Sequence, residues 1–449
     1  MRHSVALDLK KCRGCTTCIK SCPTEAIRVR NGKATVLPNR CIDCGTCIRV
    51  CPHKAVQSLC DTLRDLQDYP YTVAVPDPAL YGQFQNLDDR EIILNALPAL
   101  GFDEVFESAA ASELLSDAAR QRIQNGEGRV LPEISSACPA VVRLISIRFP
   151  KLISHIAPIV TPSELAAILA RKRAAEATGL PPEQIGVFSI VPCSSLVTAA
   201  HSPVGLDKPV LNGAFAIRDV YLALLEPMRR LDPEALRPLS RSGIMGVSWA
   251  YAGGESASHL RERYVAVDGI DNVIRMLEDI EDGRFPEADF VELRACTQGC
   301  VGGCLNVENP FGAKMRLKKV MHELPVSRTE IAGQADALDI LRSARRPEFL
   351  PALQLDSNRL RAMEKMTRIQ ALERQLPGLR CGSCGAPSCH AFAEDVVMGR
   401  AREDDCIFKV RERMQHMTGA PDADDYLPAP FRRPHESSGS GPDSVSSRR

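Results

Sequence analysis

Between residues 69 and 346 short β-branched runs alternate with stretches of helical period. TVAVPDP (72–78) and GVFSIV (186–191) are apolar runs of buried-strand length, and residues 290–293 form another. Apolar positions three and four apart predict helices over 89–100, 111–123, 217–225 and 270–280. Strands alternating with helices predict an α/β domain with covered sheets, long enough for a sizeable core in two lobes. Further along, Leu360, Met363, Ile369, Leu372, Leu376 and Leu379 recur mostly at helical spacing, with charged residues between them. That pattern predicts an amphipathic connector helix ended by Pro377-Gly378, and a further helix is predicted over 390–402. No run reaches the ~20 apolar residues of a membrane span, and residues 1–9 carry no apolar signal segment.

Composition changes this picture through one residue type. The chain has 449 residues, 56 Lys and Arg against 56 Asp and Glu, and 18 cysteines beside a single Trp. The cysteines are clumped: nine lie in residues 1–60, none in 61–137, five in 138–304 and four in 381–406. A secreted disulfide scaffold is normally short and spreads its cysteines through the fold, so a cytoplasmic protein whose thiolates hold metal is expected. The zero net charge implies no polyanion-binding surface, and no glycine loop suited to a phosphate is present, so no nucleic-acid partner is expected. After Thr418 the composition turns to Pro, Asp, Ser and Arg, and a disordered tail is expected over 419–449.

Cys12, Cys15, Cys18 and Cys22-Pro23 read C-x2-C-x2-C-x3-C-P, and Cys41, Cys44, Cys47 and Cys51-Pro52 repeat that spacing 29 positions later. Flanking residues repeat too: KCRGCTTCIKSCPTEAI against RCIDCGTCIRVCPHKAV. This is the pattern of a bacterial ferredoxin with two [4Fe-4S] clusters, in which three closely spaced cysteines wrap one cube and the fourth ligates the other. A zinc site is the alternative, disfavoured by the duplicated eight-cysteine form. Residues 1–60 carry 11 Lys and Arg against three Asp and Glu, a formal +8 that leaves −8 on the remainder. Such a surround favours an acidic redox partner, or docking on the remainder of the same chain. Cys60 lies outside both motifs and is expected to be a buried spare thiol.

In the middle domain Cys138-Pro139, Cys193, Cys296 and Cys300 each follow a strand-like run, where α/β proteins place their sites. Gly302-Gly303 would let backbone approach a bulky group closely. These segments, SSACPAV (135–141), VPCSSL (191–196) and CTQGCVGGC (296–304), resemble the three signature segments of [FeFe] hydrogenases, TSCCPxW, MPCxxK and C-x3-C with a glycine run. The resemblance implies that Cys138, Cys193, Cys296 and Cys300 hold a [4Fe-4S] cube, with Cys300 bridging to a two-iron subsite that carries CO and cyanide. The departures are specific. The cysteine that shuttles protons in working hydrogenases is Ala137 here. The cyanide-contacting lysine is Leu196, and Val141, Val191 and Arg294 replace a Trp and two Met. Arg294 is a candidate substitute cation for the subsite. Two readings follow: a low-turnover hydrogenase or hydrogen and redox sensor, resembling the sensory branch of the family, or a non-catalytic electron carrier or scaffold holding only the cube, as in relatives of nuclear prelamin A recognition factor. Cys304 is either a spare thiol or a further ligand.

Near the C-terminus, Cys381, Cys384, Cys389 and Cys406 are spaced C-x2-C-x4-C-x16-C. The segment resembles the small four-cysteine [4Fe-4S] domain of corrinoid iron–sulfur proteins and Rnf-type electron-transport subunits, with zinc as the alternative for four cysteines. His390, beside a ligand, is expected to be a surface residue. The expected organisation is a two-cluster α+β ferredoxin-like domain over 1–62, an α/β hydrogenase-type domain of two lobes around a cluster over 63–347, a helical connector over 348–378 and a small helical iron–sulfur domain over 379–418. The expected function is an iron–sulfur redox protein passing electrons along four cubes. Its expected partners are a redox protein and a signalling kinase or phosphatase.

Overall fold

The computed structural model describes residues 3–85, 87, 89–125, 130–260, 262–329 and 346–418. The tail expected to be disordered, 419–449, lies outside them. The chain divides into two compact units, Met1–Gln354 and Leu355–Arg449.

The first unit begins with a small α+β module. Strand β1 (Val5–Leu7) pairs antiparallel with β4 (Val56–Ser58), so the two ends of the duplication close on each other. Between them β2 (Ile27–Arg30) and β3 (Lys33–Val36) form a hairpin turned by Asn31-Gly32, both at positive φ as a two-residue hairpin turn requires. Short helices α1 (Thr17–Lys20) and α2 (Thr46–Val50) follow equivalent cysteine loops. The core of this module is small, and Cys12, Cys18 and Cys47 are part of it beside Ile19, Ile27 and Val56.

The larger domain has two parallel sheets. The first has the order β6-β5-β8-β9, with β5 (Tyr71–Pro76), β6 (Glu104–Val105), β8 (Ile185–Val191) and β9 (Gly213–Ala216). Every residue of β8 is buried because both faces are covered. Ile185 and Val187 enter one core with α4 (Ser108–Asn125) and α6 (Pro162–Thr178). Phe188 and Ile190 enter the other with α3 (Glu91–Ala96), α8 (Ile217–Arg230) and α12 (Pro310–Met321). The second sheet has the order β10-β11-β7, with β7 (Glu133–Ile134), β10 (Tyr264–Asp268) and β11 (Phe290–Arg294). It is packed by α5 (Pro139–Arg148) and α11 (Ile270–Glu281).

The expected helix over 89–100 is shorter than its apolar period suggests. After Ala96 the backbone tightens to a 3-10 turn over Leu97–Leu100, because Pro98 cannot donate to a helical ladder. In the second unit the connector helix spans Arg359–Arg374, opened by the Asn358 side chain accepting from the N–H groups of Leu360 and Arg361. Its Ile369 and Leu372 are buried, and it packs on the helix Cys389–Val397. That second helix stops short of the expected Arg402, and Gly399 turns the chain at φ +72°.

Candidate iron–sulfur sites

The two N-terminal cysteine loops share one backbone shape. Gly14 and Thr16 in the first copy, and the equivalent Asp43 and Gly45 in the second, all have positive φ. These turns point thiols inward. Cys12, Cys15, Cys18 and Cys51 line one cavity of about 340 Å³. Cys22 instead lies among Cys41, Cys44 and Cys47, and its charge adds to the burial that pushes their thiols up, Cys44 to about 11. The fourth cysteine of each motif therefore crosses to the other set. Backbone N–H groups already point at three sulfurs: Ala34 to Cys12 at 3.4 Å, Ala26 to Cys22 at 3.2 Å and Ala55 to Cys51 at 3.3 Å. Buried thiols disfavour the thiolate, and several thiolates together disfavour one another; bound iron offsets both costs. A cavity walled by four sulfurs and little else polar fits a cubane.

In the larger domain four distant cysteines converge where the two sheets meet. Cys138 follows β7, Cys193 follows β8 and Cys296 follows β11, all at carboxyl ends of parallel strands. Cys300 sits in the 3-10 turn Gly299–Gly302. Burial, then the neighbouring thiols Cys296, Cys300 and Cys304, push Cys193 well above the usual thiol range. Cys300 is pushed up by burial, then by Asp77. Cys304 joins the same group, so five thiols face this centre. The Gly302-Gly303 pair lets backbone approach backbone: a Cβ at Gly302 would meet the carbonyl of Thr297 at 1.9 Å, and one at Gly303 that of Pro192 at 2.2 Å. Cys60 packs against the first sheet's core, and burial pushes its thiol to about 11.

Arg294 is buried beside this centre but is already paired. Its guanidinium meets Glu255 at 2.9 Å and Glu292 at 3.1 Å, with Trp249 5.9 Å below. Burial opposes its charge, and Glu255 followed by Glu292 hold it protonated. Glu255 accepts from Ser135, and Glu292 accepts from the N–H groups of Gly253 and Ser256. Asp77, buried nearby, is pushed by desolvation up to about 6 although it accepts from Ala79 N–H. One arginine therefore faces three carboxyl groups. Ala137 and Leu196 add no polar group to the enclosure.

The N-terminal module is fastened to this centre. Ser194 donates to the carbonyl of Asp43 at 2.6 Å, Ser4 Oγ donates to the carbonyl of Ser194 at 2.7 Å, and Ser4 N–H donates to Thr198 Oγ1 at 3.0 Å. A Cβ at Gly45 would lie 2.2 Å from Cys304 Sγ. Arg49 and Arg143 also cross this junction. None of these contacts carries a sequence signal, apart from the basic residue that follows the third cysteine in both copies of the motif.

In the second unit Cys381, Cys384, Cys389 and Cys406 line a cavity of about 310 Å³. Ser388 caps the helix that carries Cys389 by accepting from Ala391 N–H. His390 is exposed and turned to Glu373 at 2.8 Å. This set too fits one cubane.

Residues 71–198 and 238–304 match the family model of the iron-only hydrogenase large subunit, C-terminal domain. Residues 4–52 match a 4Fe-4S dicluster domain, and 376–408 a model described as a putative Fe-S cluster. Human nuclear prelamin A recognition factor is 23% identical over 54% of this chain and 65% of its own length. Iron hydrogenase 1 of Clostridium pasteurianum is 23% identical over 51% of this chain and 48% of its own. The chain thus spans between about half and two thirds of these relatives. Among solved structures, a variant of [FeFe]-hydrogenase HydA1 from Chlamydomonas reinhardtii covers 65% of this chain and 98% of its own at TM-score 0.50 and 17% identity, a likeness of fold. Among the described residues no helix is long and apolar enough to cross a membrane. With a ferredoxin-type module, parallel sheets closing on convergent thiols and a small helical cysteine domain, the chain is a hydrogenase-like iron–sulfur protein.

Proposed function

We propose that this protein is a redox-sensing electron-transfer protein on a hydrogenase scaffold, holding cubes alone and turning over no hydrogen. In this reading Cys12, Cys15, Cys18 and Cys51 hold one cube, and Cys41, Cys44, Cys47 and Cys22 a second. Cys138, Cys193, Cys296 and Cys300 hold a third, and Cys381, Cys384, Cys389 and Cys406 a fourth. A cubane supplies one-electron storage when bound. The chain's own residues bury most of the thiols and, within the first unit, hold three sets in register. The observation that carries the reading is the junction at Gly45, where the second N-terminal set meets the middle set with Cys304 between them inside one compact unit. An external one-electron carrier is the expected partner, and a kinase or phosphatase reading the middle cluster would make the protein a sensor.

A second reading adds a two-iron subsite with CO and cyanide at Cys300. Arg294 is the buried cation that favours it. Glu255 and Glu292 disfavour it, because they already pair the guanidinium that an anionic group would otherwise meet. Infrared spectra of anaerobically matured protein separate the two. The expected result is no CO or cyanide stretch; such bands together with hydrogen uptake would replace the sensor with a slow hydrogenase. In that case Ala137→Cys should raise turnover, since proton transfer at this position is what alanine cannot supply.

A further inference from the structure

The N-terminal module meets the hydrogenase-like domain along α2, and Arg49 leaves that helix to cross the boundary. Its Nη1 donates to the carbonyl of Gly302 at 3.0 Å, and its Nη2 donates to Cys296 Sγ at 3.4 Å. Lys20 occupies the equivalent place in the first copy of the duplication and is exposed. Both copies therefore carry a cation after the third cysteine, but only the second copy turns it onto another cysteine set. Among the described residues no carboxylate forms an ion pair with Arg49.

The other arginine at this junction has a different setting. Arg143 comes from α5, is 1% exposed, and reaches back toward the N-terminal module. Its Nη1 stands 3.7 Å from the carboxylate of Asp43, which also meets His3 Nδ1 at 2.7 Å. Arg143 on the Cys41 side of the junction is thus matched by a buried carboxylate, whereas Arg49 on the Cys296 side is not.

Reduction adds one negative charge to a cubane. A fixed cation that also donates an N–H to a ligand sulfur stabilises the reduced form more than the oxidised one. Arg49 is exposed over part of its surface, where salt screens it, but the hydrogen bond ends on a buried sulfur. We propose that Arg49, supplied by the N-terminal module, is a positioning residue that sets the potential of the cluster held through Cys296. It raises that potential above the value the same cluster would have without it. Transfer to the middle cluster of an electron delivered to the module by a low-potential one-electron carrier is thereby favoured. The N-terminal cube is oxidised, the middle cube is reduced, and no bond or proton moves. The inference rests on the assignment of the four middle cysteines as cluster ligands.

The test is an EPR-monitored redox titration of the full chain, reconstituted anaerobically, with the middle signal defined as the one lost in Cys193→Ser. Arg49→Leu should make reduction of that cluster about tenfold less favourable, a midpoint lowered by ~59 mV for a one-electron couple. Arg49→Gln should lie between, Arg49→Lys should recover most of the shift, and the cluster of Cys12, Cys15, Cys18 and Cys51 should not move. An unmoved middle midpoint with iron content retained overturns the proposal. So does a lysine variant shifted as far as leucine, which would make Arg49 a packing residue. If the leucine variant loses iron, the glutamine variant is judged by the same criteria. Unaltered protein with no signal removable by Cys193→Ser would contradict the cluster assignment instead, a separate outcome.

Discussion

The N-terminal module and the hydrogenase-like domain hold thiols in opposite ways. In the module, eight cysteines lie within one short stretch, and Cys12, Cys18 and Cys47 are themselves part of the apolar core. In the larger domain Cys138, Cys193, Cys296 and Cys300 come from distant segments, and although Cys193 belongs to one of the cores, those cores are built mainly from residues such as Val187, Phe188 and Val291. A small domain that buries little apolar surface depends on its metal, whereas a large one can present a preformed site. The difference lies in what is built first, the fold or the cluster.

The largest expected effect breaks that comparison directly. Removing iron with a chelator should abolish hydrogen-exchange protection at Ile19, Ile27 and Val56 while Val187 and Val291 keep theirs. Equal loss in both regions would mean the middle lobes also need a cluster to fold. At the level of single thiols, Cys296→Ala should lower bound iron by about four per chain, one cubane, while Cys304→Ser leaves it unchanged. Elemental analysis decides this, and an iron deficit in the Cys304 variant would make that thiol a ligand.

Asp77 tests the preformed site through pH. Its carboxyl lies at about 6 in the fold against an ordinary 3.8, so the native state holds its proton more tightly than the unfolded chain. Stability from this group is therefore full below about pH 4 and declines as pH rises to about 6, by up to about 3 kcal/mol. Asp77→Asn should flatten that decline in denaturant midpoints measured across this range; an unchanged slope would assign the pH dependence to other groups. Gly45→Ala is the mildest change. A Cβ there would fall 2.2 Å from Cys304 Sγ at a backbone φ of +75°. It should cost about 1–3 kcal/mol of overpacking, read as a lowered melting temperature. The equivalent Thr16 already carries a Cβ at φ +64°, so Thr16→Gly should cost far less.

How much could be read beforehand follows the same division. The duplicated N-terminal spacing marks out the two thiol sets and even the exchange of their fourth cysteines, because the geometry of such a loop is local. The carboxyl-end positions of Cys138, Cys193 and Cys296 were legible because a strand run precedes each. The helix over 89–100 was overestimated, since apolar period says nothing of the N–H that Pro98 lacks. Arg294 was legible as a cation but not as a neutralised one. Glu255 lies 39 positions away, and only folding brings it to 2.9 Å.

By itself the sequence determined the cysteine spacings, the α/β class of the larger domain and the absence of polar groups at Ala137 and Leu196. These are properties of spacing, period and residue type. Tertiary structure alone decided which charges meet which sulfurs. Arg49 and Cys296 are 247 positions apart, and Asp43 and Ser194 are 151. Hydrogen bonds and charges act over a few ångströms, so partners distant along the chain are fixed only when the two modules pack.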